Sequence, residues 1–327
     1  MSETRDPRPR RRRPFRMAVG LLVLIAVIGY FAVQRYSNGG MGAPYCTATA
    51  TGAGSAGQDT VQSYEMSPEQ AANAATIAAV GIAKGLPDRA VTIALATAMQ
   101  ESALRNLDHG DRDSLGLFQQ RPSQGWGTPE QIMDPVYSAG IFYDRLVEIK
   151  GYTRLPLTVA AQKVQLSGFP QAYAKHETDA TVVTAAFGEN GTRATLACSG
   201  PAPSAPGDPA KVKAALERAF GKAALHEVRD GAPGGRSAPG RIREAEVSVR
   251  LKPDGGPAEA RLGRAMAHWA VAQGRELGIA RVSYGTSAWI AGKDGDAWKS
   301  KGGSGAKDGD GDPHNSGPGE VRIFVAR

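Results

Sequence analysis

The chain has 327 residues, 41% of them hydrophobic and 22% charged, with a formal net charge of +7; that length suits about two domains of roughly 100–200 residues each. Most of the charge sits in "MSETRDPRPRRRRPFR", residues 1–16, where seven arginines face only Glu3 and Asp6. No second basic cluster with interleaved aromatics follows, so a nucleic-acid-binding surface is excluded and no nucleic-acid partner is expected.

Residues 17–33, "MAVGLLVLIAVIGYFAV", form an uncharged apolar run of 17 residues, at the short end of what spans a bilayer as a helix. The arginines before it satisfy the positive-inside rule. The pattern predicts a cytoplasmic basic tail at 1–16, one transmembrane signal anchor at 17–33 and an extracytoplasmic bulk at the cell membrane. A cleaved signal peptide is the competing reading, against which "QRYSNGGMGAPYC" offers no good Ala-x-Ala site.

Residues 34–62 read as a linker, because "SNGGMGAPYCTATATGAGSAGQDTVQ" is rich in glycine, alanine and threonine without a period. The chain's two cysteines, Cys46 and Cys198, fall on the exported side, where disulfides persist. A bridge between them would close a loop of about 150 residues; two free thiols are the alternative, and no metal-ligand spacing involves either.

A domain is expected over 63–198. "SPEQAANAATIAAVGIAKG" carries Ser67 as N-cap, Pro68 at the first helical position, Gln70 as the capping-box partner and Gly85 as the stop. Further helices are expected in "PDRAVTIALATAMQESAL", "DPVYSAGIFYDRLVEIKG", "LPLTVAAQKVQ" and "TDATVVTAAF". Strand-like alternation is scarce, so the domain reads as mainly α. Proline-rich 199–209 marks a linker. Residues 210–327 read as a small α+β domain, with a helix at 209–224, a strand at 244–251, a helix at 258–278 and strands at 280–285 and 320–326. Asp308, Asp310 and Asp312 imitate a calcium loop, but Pro313 and Gly319 stand where glycine and glutamate are needed.

Glu101 follows Ala94, Thr97 and Ala98 on one helical face. Small residues there let the helix sit deep. A carboxyl ending such a stripe loses solvation, which favours its protonated form, the form a general acid requires. The alternative is an exposed last turn with Glu101 paired to Arg105. Ser114–Gln119 is short and glycine-hinged, suited to a small hairpin walling a groove. Trp126, between Gly125 and Gly127, is placed either to stack on a sugar or to pack in the core, and Gln124 and Tyr143 are weaker candidates for the same groove.

Glu101-Ser102, followed by Gly116-Leu117-Phe118-Gln119, resembles the Glu-Ser and Gly-Leu-Met-Gln motifs of the lysozyme-like soluble lytic transglycosylases, related to goose-type lysozymes. Gly140 matches a glycine on that family's next helix. The resemblance covers roughly 63–198 and implies a lysozyme-like domain that cleaves peptidoglycan, with Glu101 as catalytic acid, Ser102 its neighbour and Gln119 a substrate contact. It also implies that no second carboxylate is required, since the substrate's N-acetyl group attacks the anomeric carbon and the muramyl 6-hydroxyl closes an anhydro ring. A hydrolase would instead need Asp108, Asp111 or Asp113 opposite the acid. The family's Tyr-Asn pair, whose tyrosine supports the glutamate, is not found in "VAAQKVQLSGFPQAYAKHE"; Gln162, Gln165 or Tyr173 are the available substitutes, and His176 and Glu177 read as surface residues.

The C-terminal stretch "HWAVAQGRELGIARVSYGTSAWIAGKDGDAW" is similar to a small domain at the C-termini of actinobacterial wall-associated proteins. There Trp269 reads as core, Trp289 and Trp298 as a possible face for glycan or envelope proteins, and His226 and His268 form no metal pattern. The sequence thus predicts a transmembrane helix, a mainly α lysozyme-like domain and a small α+β domain, acting on peptidoglycan with Glu101, Ser102, Gln119 and Trp126 and without metal or cofactor. The alternative is a catalytically inactive module that binds glycan or scaffolds an envelope complex.

Overall fold

The structure, a computed structural model, describes residues 43–53, 59–169, 171–188, 193–231, 244–251, 257–292, 297–300, 316 and 319–327. The basic tail, the apolar run at 17–33 and the aspartates at 308–312 lie outside them. Among the described residues no helix is long and apolar enough to cross a membrane.

The fold is mixed α/β with two antiparallel sheets, which corrects the expectation of a mainly α domain beside a small α+β one. The first sheet has the order β2-β1-β3, from β1 (Tyr45–Ala53), β2 (Asp59–Met66) and β3 (Ala194–Ser199). Strand β1 and the first half of β2 lie in the stretch read as a linker. "TATAT" does alternate, but with alanine as its inward residue the hydrophobic period is nearly silent, and threonine's β preference is the remaining signal. Cys46 is the cross-strand partner of Cys198, and the two form a disulfide.

Helix α1 (Pro68–Ala83) begins at the expected capping box, with Gln70 N donating to Ser67 Oγ and Ser67 N to Gln70 Oε1. Residues 71–81 are all buried, so α1 is a core helix enclosed on every side rather than a striped one. The same holds for α2 (Asp88–Ser102), buried without a break over 90–99. Alanine makes this possible, because its small side chain lets neighbouring backbones approach from all directions. Around the pair stand α3 (Pro129–Ile132), α4 (Pro135–Val147), α5 (Leu157–Gln165) and α6 (Glu177–Phe187). Helix α1 packs on α4, and α2 on α6.

Beyond the proline-rich segment come α7 (Pro209–Phe220), β4 (Leu225–Gly231), β5 (Glu244–Leu251), α8 (Pro257–Ala272), α9 (Gly274–Leu277), β6 (Ile279–Tyr284), β7 (Ser287–Ile290), β8 (Lys299–Ser300) and β9 (Glu320–Ala326). The strands form a second sheet of order β4-β5-β9-β6-β7-β8. Its buried face, with Val247, Val249, Val282, Val321 and Ile323, belongs to the same hydrophobic cluster as α1 and α2. Helix α8 carries that continuity: it packs on α1, α6 and β3 as well as on β6. Gln273 Nε2 donates to Ala72 O, and Arg261 pairs with Asp88 at 2.7 Å.

Two tryptophans read as a binding face are used inside this junction. Trp289 Nε1 donates to Cys198 O and Trp298 Nε1 to Leu196 O, at 3.2 and 2.9 Å. Alternate carbonyls on the edge of β3 away from β1 are thereby satisfied, and that edge is closed to pairing with another strand. Trp269 is core, as expected, edge-on to Phe220. Residues 44–327 form one compact unit.

Candidate active site

The last turn of α2 is where the buried helix surfaces. Gln100 and Glu101 are partly exposed after ten buried residues, and Ser102 turns back inward. No glycine ends the helix. Instead Ala103 and Leu104 take left-handed φ values of 52° and 60°, each costing about 1–2 kcal/mol for an L-residue. Helix α1 holds them there: Gln70 Nε2 donates to Ala103 O and Asn73 Nδ2 to Leu104 O, both at 2.8 Å. Gln70 therefore caps α1 and clamps the exit of α2.

The chain then returns in a tight loop. Leu115 and Gln120 exchange both backbone hydrogen bonds at 2.9 Å, closing a four-residue turn over Gly116-Leu117-Phe118-Gln119. The expected small hairpin is this single bridge. Gly116 has φ +76°, and a Cβ there would stand 2.7 Å from Ile132 O, so only glycine fits. Three neighbours secure the turn. Ser102 Oγ lies 2.8 Å from Leu117 O, Gln165 Nε2 donates to Phe118 O at 2.8 Å, and Gln120 Nε2 donates to Ser138 O at 3.0 Å. Phe118 stacks on Phe142 with centroids 4.6 Å apart.

Opposite this wall comes the segment after α5. Tyr173, fully buried, donates from its hydroxyl to Glu101 Oε1 at 2.6 Å. Three residues on, His176 Nε2 meets Gln100 Oε1 at 3.2 Å. The short 3-10 turn Ala174–His176 and the Tyr173 that precedes it thus grip two successive residues at the end of α2. Burial first, and then the hydrogen bond to Glu101, raise the Tyr173 hydroxyl above its ordinary pKa, so it stays a donor throughout the neutral range. Burial lowers the His176 imidazole and keeps it neutral near pH 7. Among the described residues Glu101 Oε2 has no hydrogen-bond partner. The pairing of Glu101 with Arg105 is not formed.

No protein-family model matches the chain, and no curated protein matches it.

Gln119 sits at the turn with a left-handed φ of 47°, partly exposed. Its amide lies over Gly110, where an added Cβ would stand 1.8 Å from Oε1, and its own contacts to His109 O and Gly116 O are long, at 3.3 Å. Such weak contacts leave the amide available to a ligand. Ser102 is buried and reaches only backbone carbonyls, so it secures the wall from behind. Trp126 is 7% exposed, and the Arg145 guanidinium lies 3.5 Å above its ring while donating to Gly125 O. Of its two sequence readings the structure has the packing one, because a ring covered in this way presents no face to a sugar. Tyr143 is likewise core, donating to Ile77 O at 3.0 Å, and Gln124 is exposed.

The three aspartates are occupied or exposed. Asp113 accepts from Arg121 Nε at 2.8 Å and Ser123 N at 2.9 Å, and the arginine holds its carboxyl well below the usual range. Asp108 takes His109 at 2.7 Å, and Asp111 stands exposed, 4.0 Å from Arg112. Gln162 and Gln165 spend their amide nitrogens on Ser167 O and Phe118 O, so neither replaces the tyrosine. The clamp of Gln70 and Asn73 on the exit of α2, and the hold of Gln165 on Phe118 O, gave no local sign in the sequence. His176 and Glu177 are partly buried and paired, Glu177 with Arg89 at 2.6 Å, not free surface residues.

Proposed function

We propose that this chain cleaves the glycan strands of peptidoglycan by a transglycosylase reaction in which Glu101 acts first as general acid and then as general base. The observation that carries the reading is the Tyr173–Glu101 hydrogen bond. It fixes one oxygen of a half-buried carboxyl and leaves Oε2 to hold the proton that is transferred.

In this mechanism protonated Oε2 donates to the glycosidic oxygen as the bond from that oxygen to the anomeric carbon breaks. The carbonyl oxygen of the same sugar's N-acetyl group attacks the anomeric carbon and forms a cyclic oxazolinium. Glu101, now a carboxylate, takes the proton of the 6-hydroxyl, whose oxygen attacks the anomeric carbon. The oxazolinium opens, the acetamido group is restored, and a 1,6-anhydro ring closes. Protons and electrons balance without a second protein carboxylate. The engagement of Asp113 with Arg121 and of Asp108 with His109 supports this scheme over a two-carboxylate hydrolysis.

The resemblance of Glu101-Ser102 and Gly116–Gln119 to the lytic transglycosylase motifs supports the substrate assignment, and the basic tail and apolar run at 1–33 support placing the activity on the outer side of a membrane. The test is release of soluble material from purified peptidoglycan by the full-length protein. The wild type should release it, and Glu101→Gln should lower the rate by at least about 100-fold; equal release by both would overturn the assignment of Glu101.

A further inference from the structure

Resting on that reading, we infer that Leu166 and Phe169 form an apolar lip that binds the face of an amino-sugar ring of the glycan strand beside Glu101. These two are the most exposed of the described large hydrophobic residues, at 83% and 76%. They lie on one tight loop between α5 and Tyr173.

The described residues of this segment are held by hydrogen bonds. Gln162 Nε2 donates to Ser167 O at 2.8 Å, Phe169 N donates to Ser167 Oγ at 3.2 Å, and Ala172 N donates to Phe169 O at 3.0 Å. The Ser167 side chain is also near enough to the Tyr173 hydroxyl to lower its pKa, against the larger effect of burial. Phe169 N bonds Ser167, Ser167 lies beside Tyr173, and Tyr173 bonds Glu101, which places this segment by the carboxyl. Leu166 ends α5 with a left-handed φ of 51°, a conformation that costs about 1–2 kcal/mol and that glycine or asparagine would adopt more readily. Here the strain brings no burial, since the side chain points into water. Backbone strain without local compensation concentrates at ligand sites. The described non-glycine residues with positive φ are Ala103, Leu104, Arg112, Gln119 and Leu166, and four of these five belong to segments that touch the α2 terminus or its facing turn.

Composition identifies the occupant. Between Lys163 and Lys175 the sequence has no charge, which disfavours an anionic lipid or a charged peptide stem. An aromatic and an aliphatic side chain beside the hydroxyl of Ser167 and the exposed amide of Gln171 match a neutral pyranose, with one C–H face and a rim of hydroxyl and acetamido groups.

The experiment uses the full-length chain carrying Glu101→Gln, so that strands are bound without being cleaved, and measures calorimetrically its affinity for soluble glycan strands stripped of their peptides. Adding Phe169→Ala should weaken binding about tenfold, and Leu166→Gly several-fold. Val147→Ala, another exposed apolar position, should leave affinity unchanged, and thermal unfolding of all variants should match the parent or, for Leu166→Gly, exceed it. Lip variants that bind within about twofold of the parent, on the same affinity scale, would overturn the lip while leaving the cleavage reading intact. Absence of binding by the parent, together with no cleavage by the wild type, would overturn both.

Discussion

The Tyr173 hydroxyl donates to Glu101 Oε1 at 2.6 Å across a separation of 72 residues. A buried phenol aimed at a half-exposed carboxyl restricts the carboxyl to one rotamer, and a general acid must have its proton in one place. Tyr173→Phe keeps the buried ring and removes only the donor. It should lower kcat by roughly 10- to 100-fold, as expected for losing a hydrogen bond to a charged group of about 1.5–3 kcal/mol. KM and the melting temperature should change little. A fall in kcat no larger than about twofold would show that the contact does not position the acid.

The left-handed exit of α2 makes a distant residue matter to the same carboxyl. Asn73→Ala removes the donor to Leu104 O inside the core, and an unpaired buried carbonyl costs about 1–3 kcal/mol. Urea denaturation should register that loss, and peptidoglycan release should fall because Glu101 sits immediately before the released turn. Unchanged stability would mean that the strained residues hold their conformation without the clamp.

The contrast between these residues shows what the sequence could and could not convey. The capping box at Ser67–Gln70 is local, and α1 starts where it was expected. Glu101 and the Gly116–Gln119 turn were recognisable because they lie within one short stretch. Tyr173 was one of three candidates to support the glutamate, and the sequence could not choose among them, because its partner is a whole fold away and "QAYAKHE" has no periodicity of its own. Helix α2 was read as striped because alanine tolerates any environment. The first sheet was missed for the same reason, and because β1 and β3 are far apart in the sequence, with the helices between them.

That long-range pairing gives the disulfide its leverage. Cys46 and Cys198 are 152 residues apart, and a cross-link of that span contributes on the order of 5 kcal/mol in the chain-entropy account. Replacing both cysteines by alanine should lower stability by several kcal/mol, read as a shift of the urea midpoint. Reductant should produce a comparable shift in the wild type and none in the double variant.

His268 supplies an acid-side test of the junction between α8 and α6. It is buried, donates from Nδ1 to Ala186 O at 2.5 Å, and burial pushes its pKa down to about 4. The unfolded chain, with an ordinary value near 6.5, binds the proton first. Stability is therefore fully present above about pH 6.5 and falls as pH drops towards 4, by up to roughly 3 kcal/mol from this residue. Melting temperatures measured from pH 7 to 4.5 should fall less steeply in His268→Gln. Parallel slopes would place the acid sensitivity elsewhere.

In the proposed mechanism Glu101, held by Tyr173, performs acid and then base catalysis on a glycan strand with the substrate's own groups as nucleophiles. Mass spectrometry of the muropeptides released from peptidoglycan by the full-length wild type, beside Glu101→Gln, tests it most directly. Anhydromuramyl ends are expected in the wild-type digest and none above background in the variant. Reducing ends in the wild-type digest, or no released muropeptides from the folded protein, would contradict it.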